Sequence, residues 1–177
     1  MGHHLLDANQ VNKPEDDFKL TGPILALDLG EKLVGAAVSD ENLITIKRLP
    51  ALKRSNWKKL LQDVLTLIER FDARLLVIGL PLALDGSRGD AAQNVQRVAR
   101  NFALSTKLPV YLQDERLTSF EATANLRADG TRPEEIPELV DAEAAAIILR
   151  DFLRTDQERI LVQPTADSRG DQDTRHE

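Results

Sequence analysis

The chain has 177 residues, 42% hydrophobic and 29% charged, with a formal net charge of −6. That suits one globular domain with a substantial core, and no run approaches the ~20 apolar residues of a membrane span. Cysteine is absent and the three histidines (His3, His4, His176) lie near the termini, which argues against a thiol nucleophile, a Ser-His-Asp triad or a zinc centre.

Residues 1–22 are polar and aperiodic and read as a flexible N-terminal arm; residues 163–177 read as a disordered C-terminal tail. Each holds four acids and two bases, so the body, expected as one domain over 23–162, keeps only −2 of the net charge. Such a body is close to neutral, whereas nucleic-acid binders usually show a basic footprint. The start lacks the basic and apolar regions of a secretory signal, and without disulfides the expected location is cytoplasmic, with no membrane association.

Within the body, Ile24–Asp28 reads as a strand buried on both faces. Val34–Asp40 and Leu43–Leu49 follow after breaks short enough for antiparallel hairpins. Ser55 is placed to cap a helix carrying Trp57, Leu60, Leu61, Val64, Ile68 and Phe71 at helical spacing. A buried strand over 75–79 precedes a helix at about Ala91–Leu104, a strand at Val110–Gln113 and a helix at about Glu121–Ala128. A last helix starts near Pro137, a favoured first-turn residue, and runs to about Arg154. Three antiparallel strands followed by strand–helix–strand crossovers imply an α/β fold whose mixed sheet has helices on both faces. This is the outline of a ribonuclease H-like domain with five strands in the order 3-2-1-4-5; actin-like domains begin in the same way.

Four segments carry candidate chemistry. Asp28-Leu29-Gly30 ends the first strand, where the carboxylate is either a turn former or a metal ligand. Gly79-Leu80-Pro81 leads to Asp85-Gly86-Ser87, which reads as an ordinary loop before a helix that can receive an anion. Asp114-Glu115-Arg116-Leu117-Thr118 ends the fifth strand; alternation sends its two acids to opposite faces, so at most one joins a site easily, and Thr118 or Ser119 can cap the next helix. Asp141 shares the apolar stripe of the last helix with Ala144, Ala145, Ile148 and Phe152, whereas Glu143 lies opposite.

Taken in order and spacing, Asp28-x-Gly-x-Lys-x-x-Gly, Gly79-Leu80-Pro81, Asp85-Gly86-Ser87, Asp114-Glu115-Arg116-Leu117-Thr118 and Val140-Asp141-x-x-Ala-Ala resemble the YqgF/RuvX family over about residues 24–155. That family comprises nucleases of pre-16S rRNA related to Holliday-junction resolvases. The resemblance implies a ribonuclease H-like nuclease acting at the 5′ end of pre-16S rRNA, with Asp28, Glu115 and Asp141 as catalytic and metal-binding acids. A two-metal site for Mg²⁺ or Mn²⁺ is expected, Asp28 bridging the ions and Glu115 and Asp141 each holding one. Lys32, Arg116, Ser87 and Thr118 are the expected substrate contacts. The chain departs from the family pattern at Leu33, where Arg is common, at Ala83, where Asn is frequent, and in a mostly acidic 131–138 loop. Expected partners are pre-rRNA, or branched DNA, and a pre-ribosomal particle, with the protein a monomer or homodimer. The rival readings are a Holliday-junction resolvase, a non-catalytic RNA-binding assembly factor and an actin-like nucleotide-binding domain. One geometric difficulty accompanies the acidic site: in this strand order Glu115 stands two strands from Asp28, roughly 9–10 Å away. Asp85 is the alternative third ligand.

Overall fold

A computed structural model describes residues 19–155 and 159–164. Most of the expected N-terminal arm (1–18) and of the expected tail (165–177) lies outside the described residues. Three strands open the chain, β1 (Ile24–Leu29), β2 (Leu33–Ser39) and β3 (Ile46–Lys53), followed by helix α1 (Trp57–Phe71). Then come β4 (Leu75–Leu80), α2 (Asp90–Thr106), β5 (Val110–Asp114), α3 (Thr118–Ala128), α4 (Ile136–Arg154) and β6 (Ile160–Leu161).

The sheet runs β3-β2-β1-β4-β5-β6. Strands β1, β2 and β3 pair antiparallel, β1, β4 and β5 pair parallel, and β6 returns antiparallel to β5. The order expected for a ribonuclease H-like domain is thus present, with one correction: the sheet has six strands, not five. β6 is two residues long, too short to leave a periodic signal, and its pairing continues as the Val162 N–H donates to the Val110 carbonyl at 2.8 Å.

Side-chain alternation divides the core into two layers. Leu25 and Leu27 of β1 pack with Leu76, Ile78, Val64, Val95 and Phe102 on the α1/α2 face. Ile24 and Ala26 pack with Val77, Ile148 and Phe152 on the α4 face. Helices therefore cover both faces, as expected. Among the described residues, no helix is long and apolar enough to cross a membrane.

Several boundaries differ from the expected ones for local reasons. The Asp40 carboxylate accepts the Ile44 and Thr45 N–H groups at 2.7 and 3.1 Å. It thereby prolongs the turn, so β3 begins at Ile46 rather than Leu43. Asn56, not Ser55, caps α1 by accepting the Lys59 N–H at 2.9 Å. Neither Thr118 nor Ser119 caps α3; Leu117 occupies the cap position with φ of 62°, without a side-chain cap bond.

Helix α4 lies unusually close to the sheet. Ala145 is fully buried, Ala144 packs with Ala122 of α3, and a Cβ added at Gly35 of β2 would stand 1.9 Å from the Asp141 carbonyl oxygen. Because that obstacle is backbone, no rotamer change relieves it, and the helix itself would have to move. Gly35→Ala should therefore cost about 3 kcal/mol of stability by urea denaturation. A loss under ~0.5 kcal/mol would show that α4 is not seated on Gly35.

Candidate active site

Asp28 is the fifth residue of β1 and, by alternation with Ile24 and Ala26, belongs to the α4 face. It pairs in register with Gly35. The same glycine that admits the α4 backbone therefore sets Asp141 beside the end of β1.

Glu115 follows the last residue of β5, and β4 separates it from β1. The gap is closed by Gly79 of β4. A Cβ there would lie 2.2 Å from Glu115 Oε2 and 2.6 Å from Ile148 Cδ1. The Glu115 side chain thus crosses β4 through the space a side chain would have filled, and its carboxyl group hydrogen-bonds to that of Asp28. The backbone of Glu115 is fixed as well: its N–H donates to the Leu80 carbonyl at 3.1 Å, and its carbonyl accepts the Thr118 hydroxyl at 2.7 Å.

Burial is the main cause that raises Asp28 above the ordinary carboxylate range; the hydrogen bond from Glu115 acts in the opposite sense, and the charge of Asp141 adds to the rise. Burial likewise leads in pushing Glu115 up to about 9, reinforced by the Asp28 charge, their hydrogen bond and the Asp114 charge. Asp141 is raised by burial. Two carboxyl groups in contact cannot both ionise cheaply, so without a cation Glu115 holds a proton and donates it to Asp28.

Among the described residues, none of the three acids forms an ion pair. Nor do three acidic or histidine side chains converge there into a ready-made cage. The arrangement is a touching pair, Asp28 and Glu115, with Asp141 within electrostatic reach. A buried, uncompensated, all-oxygen set of this kind fits a hard divalent cation.

The other expected site residues divide. Lys32 is exposed in the turn after β1. Arg116 is clamped to its neighbour, with Nη2 2.6 Å and Nε 2.8 Å from Asp114 Oδ2, and Nη1 donates to the Leu84 carbonyl at 3.3 Å. This clamp turns Asp114 away from the pair, as strand alternation requires of one of the two acids. Thr118 is buried, and its hydroxyl is bound to the Glu115 carbonyl. It therefore positions Glu115 instead of presenting a hydroxyl to substrate. Asp85 is exposed and accepts the Ser87 N–H at 2.8 Å, the ordinary turn. Two contributors leave little trace in the sequence. Gly79 carries no hydropathy signal, and in the sequence Gly79-Leu80-Pro81 reads only as the lead into an ordinary loop. Arg54 ties the turn beyond Asp28 by donating from Nη1 to the Gly30 carbonyl at 2.7 Å.

Two outcomes follow from this geometry. Gly79→Ala should leave the fold within ~1–2 kcal/mol of wild type, because the clashing atoms end flexible side chains, yet weaken Mn²⁺ binding ~10–100-fold by calorimetry. Unchanged Mn²⁺ affinity would mean that Glu115 does not need the space over Gly79. The second outcome concerns pH. The folded state holds a proton on Glu115 that the unfolded chain releases near 4.5, so metal-free stability should fall as pH rises from about 4.5 to about 9. Glu115→Gln should flatten that slope in melts followed by circular dichroism; an equal slope in the variant would assign it elsewhere.

Comparison with known proteins shows the lineage of the chain. Residues 22–155 match the family model RuvX, described as Holliday junction resolvase. A protein of Anaeromyxobacter sp. (strain Fw109-5) is 38% identical over 129 residues, 73% of this chain and 94% of that one. One from Synechococcus elongatus is 36% identical over 134 residues, 76% of this chain and 90% of its own. Both bear the description "Putative pre-16S rRNA nuclease". Among solved structures, Thermus thermophilus RuvC in complex with a Holliday junction substrate aligns over 79% of this chain and 99% of that one, at 17% identity and a TM-score of 0.48. With most of its length matched by the family model and by relatives above one-third identity, this chain belongs to the RuvX family.

Proposed function

We propose that the chain is a divalent-cation-dependent nuclease that hydrolyses phosphodiester bonds, with precursor 16S rRNA as its substrate. The observation that carries this reading is the buried Asp28–Glu115 pair, which lacks a basic partner among the described residues. The names of the relatives support the choice of rRNA.

Asp28, Glu115 and Asp141 would hold Mg²⁺ or Mn²⁺. The bound cation supplies Lewis-acid stabilisation of phosphoryl charge and a nucleophilic hydroxide near neutral pH. The chain's own contribution is positional and protonic. Glu115 must release its carboxyl proton before it can ligate, so cation affinity rises with pH. Thr118 and the Leu80 carbonyl keep the Glu115 backbone in place while that happens. Arg116 holds Asp114 off the site, and exposed Lys32 stands beside it to meet a substrate phosphate.

The family model's own description favours one second reading, junction-specific DNA cleavage by the same acids. A dimer with paired sites would favour it, because resolving a junction takes two symmetric cuts. The deciding experiment compares Mg²⁺-dependent cleavage of a precursor-16S rRNA fragment with that of a four-way DNA junction. The rRNA fragment should be cut preferentially, and Asp28→Asn should lower that activity about 100-fold or more. Full activity in Asp28→Asn would contradict the proposed site, and preference for the junction would replace the substrate.

A further inference from the structure

An acidic site repels an anionic strand, so the bases around it govern how such a strand can approach. Between residues 42 and 62 the chain carries six bases, Lys47, Arg48, Lys53, Arg54, Lys58 and Lys59, and no acid. This run spans β3 and the first turn of α1. β3 runs antiparallel to β2 and hence alongside β1 in the same direction. Its end therefore lies on the same edge of the sheet as Asp28. Two of the six charges are engaged: Arg48 pairs with Glu143 at 3.0 Å and Lys59 with Asp63. Arg54 is tied to the Gly30 carbonyl, which is neutral, so its charge stays uncompensated.

Lys53 is the pivotal residue. It pairs in register with Leu33, two residues from Gly35, which itself faces Asp28. Its neighbour Leu52 packs on the α1/α2 side, so alternation puts Lys53 on the α4 face, the face of Asp28, Glu115 and Asp141. Two inter-strand gaps separate β3 from β1, about 10 Å across the sheet. Lys53 and Lys58 are both exposed, and among the described residues neither is in a salt bridge. Lys32, in the turn between, extends the row. The opposite flank differs, because Arg116 is neutralised by Asp114. Exposed Arg88, in the loop after β4, is the counterpart on that flank, and Glu31 stands beside Lys32; among the described residues the free bases are nonetheless more numerous on the β3 side.

We infer that the sugar–phosphate backbone of a nucleic-acid strand leaves the acidic site toward β3, over Lys32, Lys53 and Lys58. This rests on the nuclease reading, and it adds a direction and a set of phosphate contacts outside the acids. The alternative occupant of the same patch, an acidic protein surface, is an outcome of the test.

The test measures binding of a fluorescent single-stranded precursor-16S rRNA segment by anisotropy across a range of KCl. It uses the full chain with Asp28→Asn in EDTA, so that neither cleavage nor metal binding contributes. Adding Lys53→Ala and Lys58→Ala together should weaken binding ~10-fold at low salt and reduce the salt slope by about 1.4, at ~0.7 for each phosphate no longer neutralised. Arg70→Ala with Arg74→Ala, on the opposite edge, should change neither. An unchanged slope in the lysine pair, an equal loss in the arginine pair, or no salt-dependent RNA binding by the parent would each overturn the inference. Salt-independent RNA binding joined with lysine-dependent capture of an acidic protein would assign the patch to a protein instead. Because binding is read without catalysis, a failed cleavage assay and a failed path are told apart.

Discussion

The fold and the site both depend on two absent side chains in the sheet. Gly35 lets the α4 backbone press against β2 at Asp141, and Gly79 lets Glu115 cross β4 to reach Asp28. Either lane, if filled, would separate acids that must stand together. The two lanes differ in kind. At Gly35 the neighbour is backbone, so the constraint falls on folding; at Gly79 it is the tips of side chains, so the constraint falls on the site. One structural device thus separates stability from function at two positions in the same sheet.

Bringing carboxyl groups together in a buried place stores electrostatic tension. Burial raises both Asp28 and Glu115, with the Asp141 charge adding to the first and the Asp28 charge to the second, and among the described residues neither acid is in an ion pair. The protein holds the pair because backbone bonds to Leu80 and Thr118 and the apolar layer of Ile24, Ala26 and Ile148 over-determine the positions. A divalent cation would remove the tension and displace the proton, so folding stability, cation affinity and pH are linked through one carboxyl group. The uncompensated bases along β3 answer the complementary problem, the approach of an anionic strand to an acidic centre.

Much of this was legible in the residues. The apolar run ending in Asp28 marked a strand tip, the spacing of segments marked the strand order, and Asp141 on the apolar side of its helix marked an acid with a purpose. Other parts were not, for definite reasons. The start of β3 was set by Asp40 bonding the turn, a contact that spacing does not reveal. β6 is too short for a periodic signal. The two-strand separation of Glu115 from Asp28 looked like an obstacle because glycine contributes nothing to a hydropathy pattern; only the missing Cβ of Gly79 shows how the gap closes. The basic edge was hidden by averaging, since the −2 charge of the whole body masks six bases without an acid.

The most direct test is crystallographic. Crystals soaked in Mn²⁺ at neutral to mildly alkaline pH should give an anomalous peak bounded by the carboxylates of Asp28, Glu115 and Asp141, with the Asp28–Glu115 hydrogen bond opened around it. Crystals that show no peak there, with that hydrogen bond intact at millimolar Mn²⁺, would contradict a cation-binding role for the buried pair.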